Sequence, residues 1–553
     1  MVLAAIPEPA TGARKKQSKP AVTRALAVSL MALTSASAIV AASWAQQGPG
    51  LPPYLQAFPE FAPRITPQMP GDVDIALKTK LETSNPPQFP LVQREFDLNA
   101  WQMFLALQWP TNNQGRPAPK LTDTAFGEPH WTLWHNSSSI FQTDGSKPAA
   151  CGGGALRAMA LTRDLSKPVS KGLMAFSPAA TAGTDPRTTR FLGVISAVGE
   201  LNVSKLSEIG QAFSGPMIDQ NGEFVFYEIM IDPNEVGYLC DNSLYNINGQ
   251  VSFTKGGGTV DMPWGTPAAD WSGAYELKFA WKIIGPKDDA SRFYTTPAEV
   301  MDQGPDGLPV ERKVTVGLVG MHIGHKSETS PQWIWATFEQ VDNLAVDNVA
   351  HPALNPSFFD PNCPICTVNL QRQPGANGVY PRIPTQAWRS IPIPPDKQHL
   401  NQEAQAVLGK MGSVWQYYQL IDTQWPTSPK TLPASPTRPL PNPVTNKPGG
   451  NPTPVFLTNI TMETYFQGGN EAACNGIENV SCPSIWTSPA NNAKTPPAQP
   501  SNAQVFISES CMGCHSSAGL YTKYNATTGQ GTTSGQLTGD FSWLLSQKAS
   551  WQQ

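Results

Sequence analysis

Near its C-terminal end the chain reads Cys511-Met512-Gly513-Cys514-His515, two cysteines two residues apart with histidine directly after the second. This is the spacing that joins an iron porphyrin covalently to a polypeptide. On one helical turn each thiol can add to a vinyl group of the ring, and the adjacent imidazole swings beneath it as the proximal iron ligand. Gln504 to Ser510 leads in without Gly or Pro and with an apolar patch, which predicts a short helix. The competing reading is a Cys-x-x-Cys disulfide beside an uninvolved histidine. A porphyrin here constrains everything upstream, because only 38 residues follow His515 and none of them is methionine. The far wall of the ring, and any sixth iron ligand, are expected from earlier parts of the chain.

At this motif the chain resembles the c-type cytochromes. Two further stretches are similar to segments of large, mostly uncharacterised bacterial proteins grouped as the cytochrome c family. They are Gly320-Met321-His322-Ile323-Gly324-His325-Lys326, running on through Pro331 to Glu339, and Thr461-Met462-Glu463-Thr464-Tyr465. The resemblance implies one haem c, bound through Cys511 and Cys514 with His515 as proximal ligand. It names a cofactor and no reaction. The missing downstream methionine is a departure from the family pattern.

The first 45 residues read as an export signal. Arg14, Lys15, Lys16, Lys19 and Arg24 form a basic region, Ala25 to Ala42 is uncharged and mostly apolar, and Ser43-Trp44-Ala45 is a small-x-small cleavage signature before Gln46. An uncleaved anchor is the alternative, since the stretch is just long enough to span a bilayer. No second apolar run of membrane length follows, so no stable span is expected after cleavage. The basic region lacks an Arg-Arg pair, which favours Sec-type export. Attachment of c-type haem also takes place outside the bacterial inner membrane, so both signals give the periplasm. In that oxidising space Cys151, Cys240, Cys363, Cys366, Cys474 and Cys482 are expected to form three disulfides, with Cys151–Cys240, Cys363–Cys366 and Cys474–Cys482 the favoured pairing.

Charged residues make up 14% of the chain and the net charge is -4, which leaves no basic face for nucleic acid. The 55 prolines and 45 glycines imply much irregular backbone. Residues 46–90 are read as a proline-rich extended arm, 91–400 as a mainly β domain, 401–425 as a long helix, 426–454 as a proline-rich linker and 455–553 as the haem region. A helix is predicted from Leu91 to Trp109, and a second from Asn401 to Gln424. Tyr275 to Ile283 alternates apolar and polar residues as a half-buried strand does. Ala155 to Leu161, Gly172 to Phe176, Arg190 to Val198, Phe224 to Ile231, Val314 to Ile323 and Trp333 to Phe338 complete seven predicted strands, with a short helix at Asn202 to Phe213. Asp540 is expected to cap a last helix. The fold class is α+β, a mainly antiparallel sandwich or distorted barrel followed by a small helical haem-binding region.

Three residues are candidates for the other side of the iron. Met462 would supply a thioether that raises the reduction potential and closes the iron, against an ordinary core methionine. His322 and His325 are the others. On a strand their spacing sends the two rings to opposite faces, so they would not share one metal. His130 and His135 fit a shared metal poorly, having no acidic or Cys companion. Three functions follow, one of them a substrate-binding or adhesive β domain whose haem senses or merely staples. Another is electron transfer to a periplasmic redox partner through a closed haem. The alternative is a haem enzyme, peroxidase-like or oxygenase-like, whose open distal position is walled by the β domain and takes a small substrate.

Overall fold

The computed structural model describes residues 64–152, 187–192, 215–266, 272–344, 351–363, 366–375, 378–389, 392–426, 457–466, 511–515, 518–534 and 538–553. The predicted signal, the strands at 155–161 and 172–176, the helix at 202–213, the lead-in at 504–510, Cys474 and Cys482 lie outside them, as does most of the 426–454 linker. All described residues belong to one compact unit, Ala57–Gln553.

The described strands are β1 (Pro110–Thr111), β2 (Glu128–Pro129), β3 (His135–Asn136), β4 (Arg190–Leu192), β5 (Val225–Ile231), β6 (Tyr275–Ile283), β7 (Thr295–Gln303), β8 (Pro309–His325), β9 (Ile334–Gln340), β10 (Tyr418–Gln424), β11 (Tyr521–Asn525) and β12 (Gln530–Thr533). The fold is mixed α+β, with one mostly antiparallel eight-stranded sheet in the order β10-β9-β8-β6-β5-β3. β7 lies against the first half of β8, and β4 beside it makes the one parallel pairing of that sheet. β8 is long enough to serve two neighbourhoods. Its half-exposed first part pairs with β7, and its buried second part, from Val316 on, lies between β6 and β9. Among the described residues this sheet has helices and loops on both sides, and β1–β2 and β11–β12 form two further two-stranded sheets.

One face is covered by α2 (Phe89–Leu107), which starts with Pro90 in its first turn, where a missing N–H costs nothing. Its Phe104 stacks on Phe338 of β9 at 4.3 Å and Trp101 meets the same ring edge-on at 5.1 Å. Each such buried ring contributes about 2–3 kcal/mol. Before it, α1 (Ile75–Glu82) interrupts the arm expected to be extended, because Asp74 caps it by accepting the Leu77 amide. The remaining described helices are α3 (Ser137–Ile140), α4 (Pro233–Asp241), α5 (Ile247–Lys255), α6 (Pro395–Lys410), α7 (Cys511–His515) and α8 (Leu544–Lys548).

Two predicted helices come out differently. The helix expected at Asn401 to Gln424 starts earlier, at Pro395, and stops at Lys410. Gly412 then turns with φ +70, and Tyr418 to Gln424 becomes an edge strand paired with β9. The helical apolar spacing was real, but a glycine that readily takes the left-handed conformation broke it. Asp540 does not cap α8 either. It has φ 52, and its carboxylate is taken by the Met262 amide and Lys326. The Cys151–Cys240 and Cys363–Cys366 disulfides are both present.

Candidate functional site

Pleating sends alternate residues of each strand to one face, so the register fixes which side chains stand side by side. Opposite α2, one row across β5, β6, β8, β9 and β10 is Ile229, Lys278, His322, Thr337 and Asp422. The row on one side of it is Ile231, Glu276, Gly324, Trp335 and Gln424, and on the other Tyr227, Ala280, Gly320, Glu339 and Gln419. His322 therefore stands between two glycines on its own strand face. At Gly320 a Cβ would clash with the Thr461 hydroxyl oxygen, so the bare backbone lets segment 457–466 down onto the sheet.

The Cys-x-x-Cys-His stretch forms the five-residue α7 on this face. The Met512 amide donates to Gln424 Oε1 at 2.8 Å. Its side chain is fully buried in a cluster that includes Trp333, Trp335, Phe541 and Leu544. Cys511 and Cys514 are unpaired thiols, and Trp543 hydrogen-bonds Cys514. Burial pushes the Cys511 thiol well up and that of Cys514 to about 11, with the Glu463 carboxylate acting in the same direction. His515 packs on Trp335 with ring centroids 4.3 Å apart, and its Nδ1–H donates to the Phe541 carbonyl at 2.7 Å. Burial lowers the His515 pKa to about 4, against the opposing pull of that carbonyl.

The carbonyl is aimed by unusual backbone. Asp540 and Phe541 have φ values of 52 and 68, and Trp333, in the same cluster, has 67. Non-glycine residues in this region cost about 1–3 kcal/mol each and persist where their surroundings hold them. Here the holding groups are Lys326 on the Asp540 carboxylate and the Met262 amide at 2.7 Å.

His322 faces the same space. Its Nε2 lies 2.9 Å from Glu463 Oε1, whose other oxygen accepts the Asn459 amide at 2.7 Å. His322 Nδ1 is enclosed and has no hydrogen-bond partner. Burial pushes the Glu463 carboxyl up, but His322 and Lys278 outweigh it and hold it below its ordinary value. Both also act electrostatically on His515, which ties β6, β8, segment 457–466 and α7 into one site.

The other candidates sit elsewhere. Met462 packs in a separate apolar cluster with Met217, Val319 and Phe358. His325 lies on the opposite face of β8, stacked on Tyr275 at 3.9 Å and donating from Nε2 to the Ser272 carbonyl at 2.7 Å. His130 packs edge-on to Trp134, and burial lowers its pKa to about 4. Glu463, Phe541, Gln424 and Trp335 were not singled out from sequence. The alternation Gly320-x-His322-x-Gly324 was the legible signal, since a histidine flanked by glycines on one strand face marks a place of close approach.

Among the described residues no group of three or more His, Cys, Asp or Glu is arranged to hold a bare metal ion. A covalently joined porphyrin asks less of the chain: two unpaired thiols and one imidazole with a free nitrogen, which α7 supplies. No helix among the described residues is long and apolar enough to cross a membrane. In comparison with known proteins, no family model, curated protein or solved structure matches this chain.

Proposed function

We propose that this chain is an exported single-haem c-type cytochrome that passes electrons between periplasmic partners. The observation that carries this reading is the bond from His515 Nδ1 to the Phe541 carbonyl. A carbonyl only accepts, so the imidazole proton is fixed on Nδ1 and Nε2 keeps its lone pair for iron. Cys511 and Cys514 stand on the same turn as free thiols, ready to become thioethers. Haem would supply a one-electron centre. The chain would hold it between α7 and the sheet, with Trp335 against the proximal ring and His322 offered from β8. A carboxylate behind a ligating histidine raises its basicity and fixes its orientation. Glu463 stands in that relation to His322, which makes His322 a better sixth ligand than Met462.

The same pair supports a second reading. A half-buried imidazole on a carboxylate is also what a haem enzyme uses as a distal acid or base, the iron then being open to substrate. Carbon monoxide separates the two. With His322 ligated, the reduced wild type binds carbon monoxide slowly and His322→Ala binds it at once, whereas rapid binding by the wild type favours the enzyme. Covalent attachment is tested by acid–acetone extraction, which should leave the pigment on the wild-type polypeptide. Extractable pigment would overturn the cytochrome reading. Export predicts a mature N-terminus near Gln46, read by intact mass, and a chain retaining Met1 would contradict it.

A further inference from the structure

Beside the proximal histidine the sheet carries a second group that electron transfer alone does not use. Glu235 of α4 and Glu276 of β6 face each other across the interior, and Glu276 also accepts a hydrogen bond from Ser542. Glu235 is fully buried. Neither of its oxygens, nor Glu276 Oε1, receives a hydrogen bond from any donor. The buried Glu235 carboxylate and the enclosed Oε1 of half-buried Glu276 cannot face each other unsatisfied, so a proton lies between them. Ser542 follows Phe541, whose carbonyl holds His515, and Glu276 shares its strand face with Lys278, two residues on. The pair thus touches the loop that positions the proximal ligand without being part of the ligand set.

We propose that Glu235 and Glu276 form a proton-binding site whose occupancy is coupled to the redox state of the His515 centre, so that the chain carries a proton together with its electron. This rests on the haem reading above. The pair holds one proton throughout. With haem bound and reduced by one electron from a partner protein, Glu276 would take one proton from solvent, and oxidation would release both. Burial raises Glu276 to about 7, in the working range, and burial with the facing Glu276 holds Glu235 well above its ordinary value. The groups facing the pair from the surrounding elements are Asp232 at the start of α4, also raised to about 7 by burial, and Asp540, which is neutralised by Lys326. Lys326 is shared with Asp261. No cation pairs directly with Glu235 or Glu276 among their strongest interactions, so a proton is the species left to balance the charge.

The test is the midpoint potential of the holoprotein between pH 5.5 and 8.5, with redox-difference infrared spectra. The potential should fall as pH rises through 7, approaching 59 mV per pH unit, the equivalent of a tenfold change for one electron. A protonated-carboxyl band should appear on reduction. In Glu276→Gln, and separately in Glu235→Gln, the slope around pH 7 and the band should both be lost while covalent haem remains. A wild-type potential flat across the range overturns the proposal, as does a slope unchanged in both variants. Either result with haem still attached leaves the cytochrome reading intact, whereas a chain without covalent haem removes that reading itself.

Discussion

His515 is held by a carbonyl 26 positions further on, and the Asp540 carboxylate next to Phe541 is held by Lys326 and the Met262 amide. Lys326 and Asp540 are both fully buried, so removing one partner strands a charge. Lys326→Met should cost about 3 kcal/mol in denaturant titrations. It should also shift the potential or spectrum of the haem, because the Phe541 carbonyl loses its support. A loss of stability with an unchanged potential would mean that Lys326 serves the core alone. His325 makes a different prediction. Folded it titrates near 3, depressed by burial, whereas its unfolded value is 6.5. Between these values the unfolded chain binds the extra proton, so stability is lost as pH falls below 6.5. His325→Phe keeps a ring against Tyr275 but removes the titration. The stability gap between wild type and variant should narrow by about 1.4 kcal/mol per pH unit below 6.5. A gap independent of pH would mean that the folded ring is charged.

Among the elements, those whose period is set by one dominant neighbour were legible in the sequence. Phe89–Leu107 carries an aromatic stripe because one sheet face receives it, and Tyr275–Ile283 alternates because its two faces meet different surroundings. Tyr418–Gln424 misled because an edge strand buried on both faces has no alternation to read. The Cys363–Cys366 disulfide was legible for a local reason, whereas sequence alone does not fix the pairing of Cys151 with Cys240. Of the site, α7 and His322 could be read from spacing and alternation. Glu463 and Phe541 could not, because what marks them is contact across the sheet. Gly320 tests that contact. An added methyl there meets Thr461 and Asn459, so Gly320→Ala should cost about 1–3 kcal/mol and lift segment 457–466, with Glu463, away from His322. A variant of native stability whose reduced form still binds carbon monoxide slowly would show that this close approach is dispensable.

At the scale of the whole molecule, the described C-terminal segments do not pack by themselves. α7, the β11–β12 hairpin and α8 share one apolar cluster with α4, α5 and Trp335 of β9. For the haem proposed on α7, the sheet would supply the wall that a free-standing cytochrome builds from its own chain. Covalent haem on α7 is the property from which the proposed electron transfer follows. The most direct measurement is intact mass under denaturing conditions, on chain produced in a host that matures c-type haem. The wild type should carry the added mass of one iron porphyrin, and the Cys511→Ala Cys514→Ala double variant should carry none. A wild-type chain of bare polypeptide mass, or one in which Cys511 and Cys514 are joined to each other, would contradict it.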